Sequence, residues 1–340
     1  ISIIHPRIVT YEIRQEEISK LNGAALLDEV LILGGHSIYP QSSESQISLC
    51  EAIGEWAIQN FEEGDFAVRT RKIGELPDTI SSRSFEDKVG RAVSSSGIRV
   101  NLESPSNEIV IIIAGSNEGD THPEPFEFEG TMVVWGLRVK NWSKESFSGR
   151  SPTERPYFKP ISLEPRQARL LISLSRVPNR EIKAVVDPFC GTGGIAIEAV
   201  LQNIRALASD LDSRMVEGTT ENLKWPGKEC LVEKWDASDL STLWGEMEGC
   251  SFVFDPPYGR SSWRSVDSLD IFLNVLKEAK KIAAEGVVSS MLPAGPEALK
   301  PGNDDEITVM GKKWSELLPR IQEIGWKVHL FCPIRVHRSL

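Results

Sequence analysis

The sequence predicts an α/β protein: a doubly wound parallel sheet in the C-terminal half, preceded by a half of α+β texture. Three observations carry that expectation. After residue 160, apolar segments of strand length alternate with segments of helical period. A glycine-bearing turn comes after the first of those strands, as in folds that bind ligands at a sheet edge. The residues before 141 instead mix strands and helices without that alternation, and a polar, proline-bearing tract separates the two halves.

A chain of 340 residues exceeds what one hydrophobic core comfortably serves, so two or three domains are expected. Hydrophobic residues at 40% and charged residues at 26% are those of an ordinary globular protein. No apolar run approaches the roughly 20 residues that span a bilayer. The opening ISIIHPRIVT lacks the basic start and apolar stretch of a secretory signal. A cytoplasmic protein that does not enter membranes is the expectation. Cys50, Cys190, Cys230, Cys250 and Cys332 are odd in number and never spaced C-x-x-C, which argues against disulfides and zinc and leaves buried thiols as the reading. The net charge of −11 requires that any surface gripping phosphates be local.

In chain order, GGHSIYPQSSESQ (Gly34 to Gln46) is rich in turn formers and is expected to separate a first piece, residues 1–45, from the rest of the chain. Leu49 to Phe61 shows helical spacing at Ile53, Trp56, Ala57 and Phe61. FAVRTRKIG reads as a strand that carries Arg69 and Arg71 outward, and Phe85 to Ser96 as a helix. EIVIIIAG is a strand covered on at least one face, and TMVVWGLRV a further strand that completes a domain over residues 46–140. Residues 141–160, NWSKESFSGRSPTERPYFKP, read as a linker, and 161–340 as the doubly wound domain.

AVVDPFCGTGGIAIEAVL runs an apolar strand into Asp187, then a turn containing Gly191, Thr192, Gly193 and Gly194, then a helix read as amphipathic. Glycines there let the backbone approach a ligand closely. Asp210, 23 residues beyond Asp187, ends a second strand, where a carboxylate can accept both ribose hydroxyls of a nucleoside; Asp212 is the alternative. Asp236, with Ala237 next to it, comes after a third strand-like segment, where it could accept an adenine amino group. A dinucleotide dehydrogenase would carry G-x-G-x-x-G. D-P-F-C-G-T-G-G instead resembles the first motif of Rossmann-like methyltransferases, whose ligand is S-adenosyl-L-methionine.

SFVFDPPYG ends an apolar strand in Asp255-Pro256-Pro257-Tyr258. Consecutive prolines hold a stiff turn with outward carbonyls. The tetrapeptide resembles the fourth motif of methyltransferases acting on exocyclic amino nitrogens. An aromatic amine is a poor nucleophile because its lone pair is delocalised into the ring. Hydrogen bonds to the Asp255 carboxylate and the Pro256 carbonyl would turn that lone pair toward a methyl group held at attack distance. The methylated nitrogen is strongly acidic, so Asp255 need be only a weak base, and Tyr258 would stack on the base.

RPYFKPISLEPRQARLLISLSRV, DPFCGTGGIAIEA, SDLDSRMVEGTTENL, DPPYGRSS and the closing RVHRSL together resemble the archaeal tRNA guanine-10 N2-methyltransferases. FAVRTRKIG and RVNLESPSNEIVIIIAG resemble a THUMP domain, with a short ferredoxin-like domain before it. The resemblance implies that the THUMP domain grips tRNA while the second domain methylates guanine. It places Phe158 near the methionine end of the cofactor and Arg260, Ser261, Arg335 and His337 around the target base.

The charge pattern agrees with a local grip. Arg69, Arg71, Lys72, Arg83, Lys88, Arg91 and Arg99 outnumber Glu75, Asp78, Glu86 and Asp87, and Arg138, Lys140, Lys144, Arg150, Arg155 and Lys159 outnumber Glu145 and Glu154 through the linker. Some relatives use a small zinc-binding activator subunit, so such a partner is a further expectation. Two alternatives stand beside this reading. D-P-P-Y also occurs in DNA adenine methyltransferases, and N-P-P-Y in protein glutamine methyltransferases. A THUMP-bearing RNA-binding protein with an inactive methyltransferase fold is the other.

Overall fold

The computed structural model describes residues 1–116, 130–160, 162–176, 182–257, 268–299 and 307–334. Two compact units emerge: Ile1–Asn22 with Leu27–Lys144, and Gly23–Leu26 with Glu145–Leu340.

In the first unit, β1 (Ser2–His5) and β2 (Ile8–Thr10) form an antiparallel hairpin. After it come β3 (Leu31–Ile38), α1 (Ser43–Asn60), β4 (Phe66–Ile73), α2 (Ser82–Ser94), β5 (Asn107–Ala114) and β6 (Met132–Arg138). The sheet order is β3-β6-β5-β4; β4 and β5 run parallel and the other pairs antiparallel. The Ser42 hydroxyl accepts the Ser45 N–H at 3.1 Å, which caps α1 and sets where that helix begins. From Ile109 onward β5 is apolar because both faces are covered. Ile109, Ile111 and Ile113 pack in a core with Ile53 and Ala57 of α1 and Phe85, Val89 and Val93 of α2. Val110, Ile112 and Ala114 pack with Ile4 and Ile8 of the hairpin.

The turn expected from Gly34 onward begins only after Ile38. Gly34 and Gly35 lie inside β3, which pairs along its length with β6 across a register shift at Leu33/Gly35. The reason is Trp135 of β6. A Cβ on Gly34 would lie 2.6 Å from its Cδ1, and one on Gly35 2.5 Å from its Cζ2, so the glycines make room for an indole rather than for a turn. β3 therefore joins the sheet that contains β4 to β6, and a division at residue 45 passes through one sheet.

The second unit contains α3 (Pro165–Leu174), β7 (Ala184–Asp187), α4 (Gly194–Leu201), β8 (Arg205–Asp210), α5 (Ser213–Lys224), β9 (Leu231–Lys234), α6 (Leu240–Trp244), β10 (Cys250–Phe254), α7 (Ser268–Ile282) and β11 (Val287–Ser290). A small hairpin, β12 (Thr308–Val309) with β13 (Lys312–Lys313), and α8 (Trp314–Glu323) complete it. The five strands β11-β10-β7-β8-β9 are all parallel. The chain starts in the middle at β7, winds outward through β8 and β9, then returns to the other side of β7 at β10. The crevice at the carboxyl ends of β7 and β10 is thus the topological switch point, where such sheets bind ligands.

Three expectations are corrected in this unit. α4 is not amphipathic, for every residue from Gly194 to Val200 is buried. Its one charge, Glu198, is met by Arg169 at 2.8 Å and Arg150 at 3.3 Å, and burial still pushes its carboxyl above the usual range. The tract after residue 144 is not a free linker. Arg150 binds Glu145 and Glu198, and Arg155 is only 5% exposed, so neither offers its charge to a polyanion. Of the cysteines, Cys50, Cys190 and Cys250 are buried, but Cys230 is half-buried and Cys332 exposed. No described helix is long and apolar enough to cross a membrane.

Candidate active site

The strand order places four aspartates. Asp187 is the last residue of β7 and Asp210 the last of β8; Asp236 comes two residues after β9, and Asp255 immediately after β10. Because the strands are parallel, all four stand at one edge of the sheet. The turn between β7 and α4 is built around glycines in left-handed backbone, Gly191 at φ +53° and Gly193 at φ +83°, the second being the N-cap of α4. A Cβ on Gly193 would lie 2.9 Å from Cγ2 of Thr219, so a side chain there would be strained twice over.

Asp187 is 2% exposed and accepts the Phe189 N–H at 3.2 Å. Burial, and then the charges of Asp210 and Asp255, hold its carboxyl well above the ordinary range. Asp210 braces the turn: Oδ2 accepts the Gly191 N–H at 3.0 Å and Oδ1 the Asp212 N–H at 2.9 Å. Its carboxyl is also raised, by burial, against the pull of those hydrogen bonds. Each oxygen retains a lone pair for a further donor. Asp236 is exposed, and its Oδ1 caps the short turn after it by accepting the Ser238 N–H at 2.9 Å and hydroxyl at 2.8 Å. Ala237 beside it is buried. The Asp212 carboxylate pairs with Arg214 at 2.7 Å, so that residue reaches Asp210 through its backbone N–H alone.

Asp187 also ties stability to pH. An acid whose folded pKa lies above its unfolded value, about 3.9, binds more protons when folded, so its contribution to stability falls as pH rises from there through the folded pKa. Asp187→Asn is therefore expected to gain on wild type as pH rises. The difference in melting temperature, variant minus wild type and without ligand, should be larger at pH 8 than at pH 5.

A family profile described as an RMKL-like methyltransferase domain matches residues 152–300. The tRNA (guanine(10)-N2)-dimethyltransferase of Methanothermobacter thermautotrophicus is 35% identical over 224 residues, 65% of this chain and 60% of that one. That of Pyrococcus abyssi is 29% identical over 259 residues, 76% of this chain and 71% of the other. A probable enzyme of the same name from Methanothermococcus thermolithotrophicus is 35% identical over 120 residues, 34% of this chain and 73% of that one. The chain belongs to the tRNA (guanine(10)-N2)-dimethyltransferase family. It spans about three fifths of the length of the Methanothermobacter member.

In this family member, Asp255 is half-buried, Pro256 buried and Pro257 exposed, and the Oδ1 of Asp255 is shielded from solvent. Phe158 is 43% exposed. Tyr258, Arg260, Ser261, Arg335 and His337 lie outside the described residues.

The basic residues of the first unit differ in availability. Arg83 is largely exposed, and Arg91 and Arg99 are exposed too. Arg71, half exposed, stands 3.8 Å from Glu29. Arg69 lies 3.6 Å from Glu108, while Lys72 donates to the Ile80 carbonyl and Lys88 to Gln46. Arg138, Lys140 and Lys144 are paired with Glu29 and Glu108, with Glu62 and with Asp28 respectively.

The residues missed by reading the sequence are those behind the turn. Thr219 donates to the Gly191 carbonyl at 2.8 Å. Asn222 bonds both the Thr192 carbonyl and the backbone of Tyr157. Gly218, Thr219 and Asn222 are all buried on one face of α5. A glycine and an asparagine at i and i+4 where an amphipathic helix should carry apolar residues was the available signal.

Proposed function

We propose that the second unit binds S-adenosyl-L-methionine and transfers its methyl group to the exocyclic N2 of guanine 10 in tRNA. The observation that carries this reading is the row of carboxylates at the strand ends around a glycine turn, with Asp255-Pro256-Pro257 at the switch point. Such a row repels the pyrophosphate of a dinucleotide and suits a ligand that presents hydroxyl donors and a positive charge. The cofactor supplies a methyl group on a sulfonium, with a neutral thioether as leaving group.

Asp210 takes the ribose hydroxyls and Asp236 the adenine amino group, with Ala237 beside the ring. The peptides of Gly191, Thr192, Gly193 and Gly194 allow close approach, Asp187 supports the turn from beneath, and Phe158 covers the methionine end. Asp255 and the Pro256 carbonyl accept the two amino protons of guanine, so the lone pair points out of the ring plane, and Asp255 then takes the proton released. Tyr258, Arg260 and Arg335 lie outside the described residues and keep in this reading the roles expected from the sequence, stacking on the base for the first and contact with RNA for the other two.

The first unit, read as a THUMP domain with its ferredoxin-like piece, grips the tRNA. Arg71, Arg83 and Arg91 offer the exposed charge, joined by Arg69, Lys72 and Lys88 once their protein partners give way. Cytoplasmic action on tRNA belongs to the same reading.

The test is transfer of labelled methyl to a tRNA transcript with guanine or adenine at position 10. Label that requires guanine 10, recovered as N2-methylated or N2,N2-dimethylated guanosine, is expected. Label indifferent to that change would move the target. No label together with no binding of S-adenosylhomocysteine would favour the RNA-binding alternative. Running the assay with and without a small zinc-binding partner tells a self-sufficient enzyme from an activated one.

A further inference from the structure

Asn222 directs both of its amide protons and its carbonyl oxygen at other segments' backbone. It is fully buried on α5; its Oδ1 accepts the Tyr157 N–H at 2.8 Å, and its Nδ2 donates to the Tyr157 carbonyl at 2.8 Å and to the Thr192 carbonyl at 2.9 Å. One turn away, Thr219 donates to the Gly191 carbonyl at 2.8 Å. Two consecutive carbonyls of the glycine turn thus point at α5. In a trans peptide the N–H lies opposite the carbonyl, so the Thr192 N–H is aimed away from α5, while the Gly193 N–H closes the turn on the Cys190 carbonyl at 2.7 Å.

The Tyr157 segment is held by a second device. The Tyr157 ring occupies the space of a missing side chain at Gly218, where a Cβ would lie 2.1 Å from its Cδ1. Further along, Thr192 donates to the Ser162 hydroxyl at 2.8 Å, which donates to the Lys159 carbonyl at 2.7 Å. Tyr157 is therefore tied to α5 behind the turn and Ser162 to the turn itself, and Phe158 rides on the strap held between these two anchors.

We propose that Asn222 and Thr219 are positioning residues for the cofactor: they set the orientation of the turn peptides and lock the strap that carries Phe158. This rests on the reading of the second unit as an S-adenosylmethionine site. A buried asparagine that merely staples a helix would contribute stability and nothing else, so the test must read affinity.

Asn222→Ala removes the clamp. Thr219→Val removes one hydroxyl at nearly constant shape. Gly218→Ala evicts the Tyr157 ring without touching either polar group. Each is expected to weaken S-adenosylhomocysteine binding by calorimetry, and to raise KM for S-adenosylmethionine, by about tenfold or more, with kcat at saturating cofactor within about threefold of wild type. Thr219→Ser, which keeps the hydroxyl, should recover most of the affinity. Thr220→Val, which removes a hydroxyl bonded only to the Val216 carbonyl of its own helix, should leave affinity alone. Variants that melt at lower temperature yet, while folded, bind S-adenosylhomocysteine as wild type does would overturn the proposal. Wild type that fails to bind it would remove the underlying reading as well, a distinct result.

Discussion

Replacing Asp255 by alanine is expected to lower methyl transfer by about 10² to 10⁴-fold in kcat while cofactor binding changes little. The expectation comes from where the residue stands. Asp255 sits just beyond β10 at the switch point, half-buried, with a carboxylate oxygen already shielded from water. An acceptor there costs little to organise at the moment of reaction, and under the proposed function its removal would leave the target amino group conjugated and unreactive. Asp255→Asn keeps the shape and one carbonyl acceptor but cannot take a proton, so it should lie between alanine and wild type.

The same variants carry a second, opposite signature. The Asp255 charge helps to raise the Asp187 carboxyl. Losing it relieves a like-charge repulsion, and the variants should melt no lower than wild type at pH 8. A kcat within tenfold of wild type would remove Asp255 from the chemistry. A kcat loss matched by a fall in melting temperature would reassign it to structure.

Asp210→Ala is expected to weaken S-adenosylhomocysteine binding by about 10² to 10³-fold, equivalent to roughly 3–4 kcal/mol. Two losses add. The carboxylate that would receive the ribose hydroxyls goes, and charge-assisted bonds of this kind are worth roughly twice a neutral one. Gly191, at φ +53°, also loses the acceptor at 3.0 Å that holds its N–H. Asp210→Asn retains one oxygen acceptor and should fall short of the alanine effect.

Because burial raises the Asp210 carboxyl above the ordinary range, protonation should erode cofactor affinity from a higher pH than an exposed aspartate would allow. Calorimetric titration of wild type and both variants between pH 5 and pH 8 measures both effects. Affinity retained by Asp210→Ala would shift the ribose-binding role elsewhere along the sheet edge.

Much of the architecture is legible in the chain alone. The βαβ alternation, the glycine turn after Asp187 and the placing of Asp210, Asp236 and Asp255 at strand ends all rest on short-range patterns: period, turn chemistry and a parallel sheet's shared carboxyl edge. The strand EIVIIIAG and the helix containing Phe85, Val89 and Val93 are legible for the same reason.

Where the sequence misleads, a distant partner is involved. Gly34 and Gly35 look like a turn until Trp135 of β6 is laid over them. Arg150 and Arg155 look like phosphate ligands until Glu198 draws Arg150 inward and Arg155 is found buried. The buried face of α5 looks defective until Asn222 is seen to hold Tyr157 and Thr192.

By itself, then, the sequence determined which residues stand at the carboxyl edge of the parallel sheet, because strand ends and turns are written locally. Only the tertiary structure decided which charges are spent within the protein and which side chains hold the turn. A hydrogen bond or ion pair between residues tens of positions apart leaves no period along the chain, and burial is a property of the packed whole.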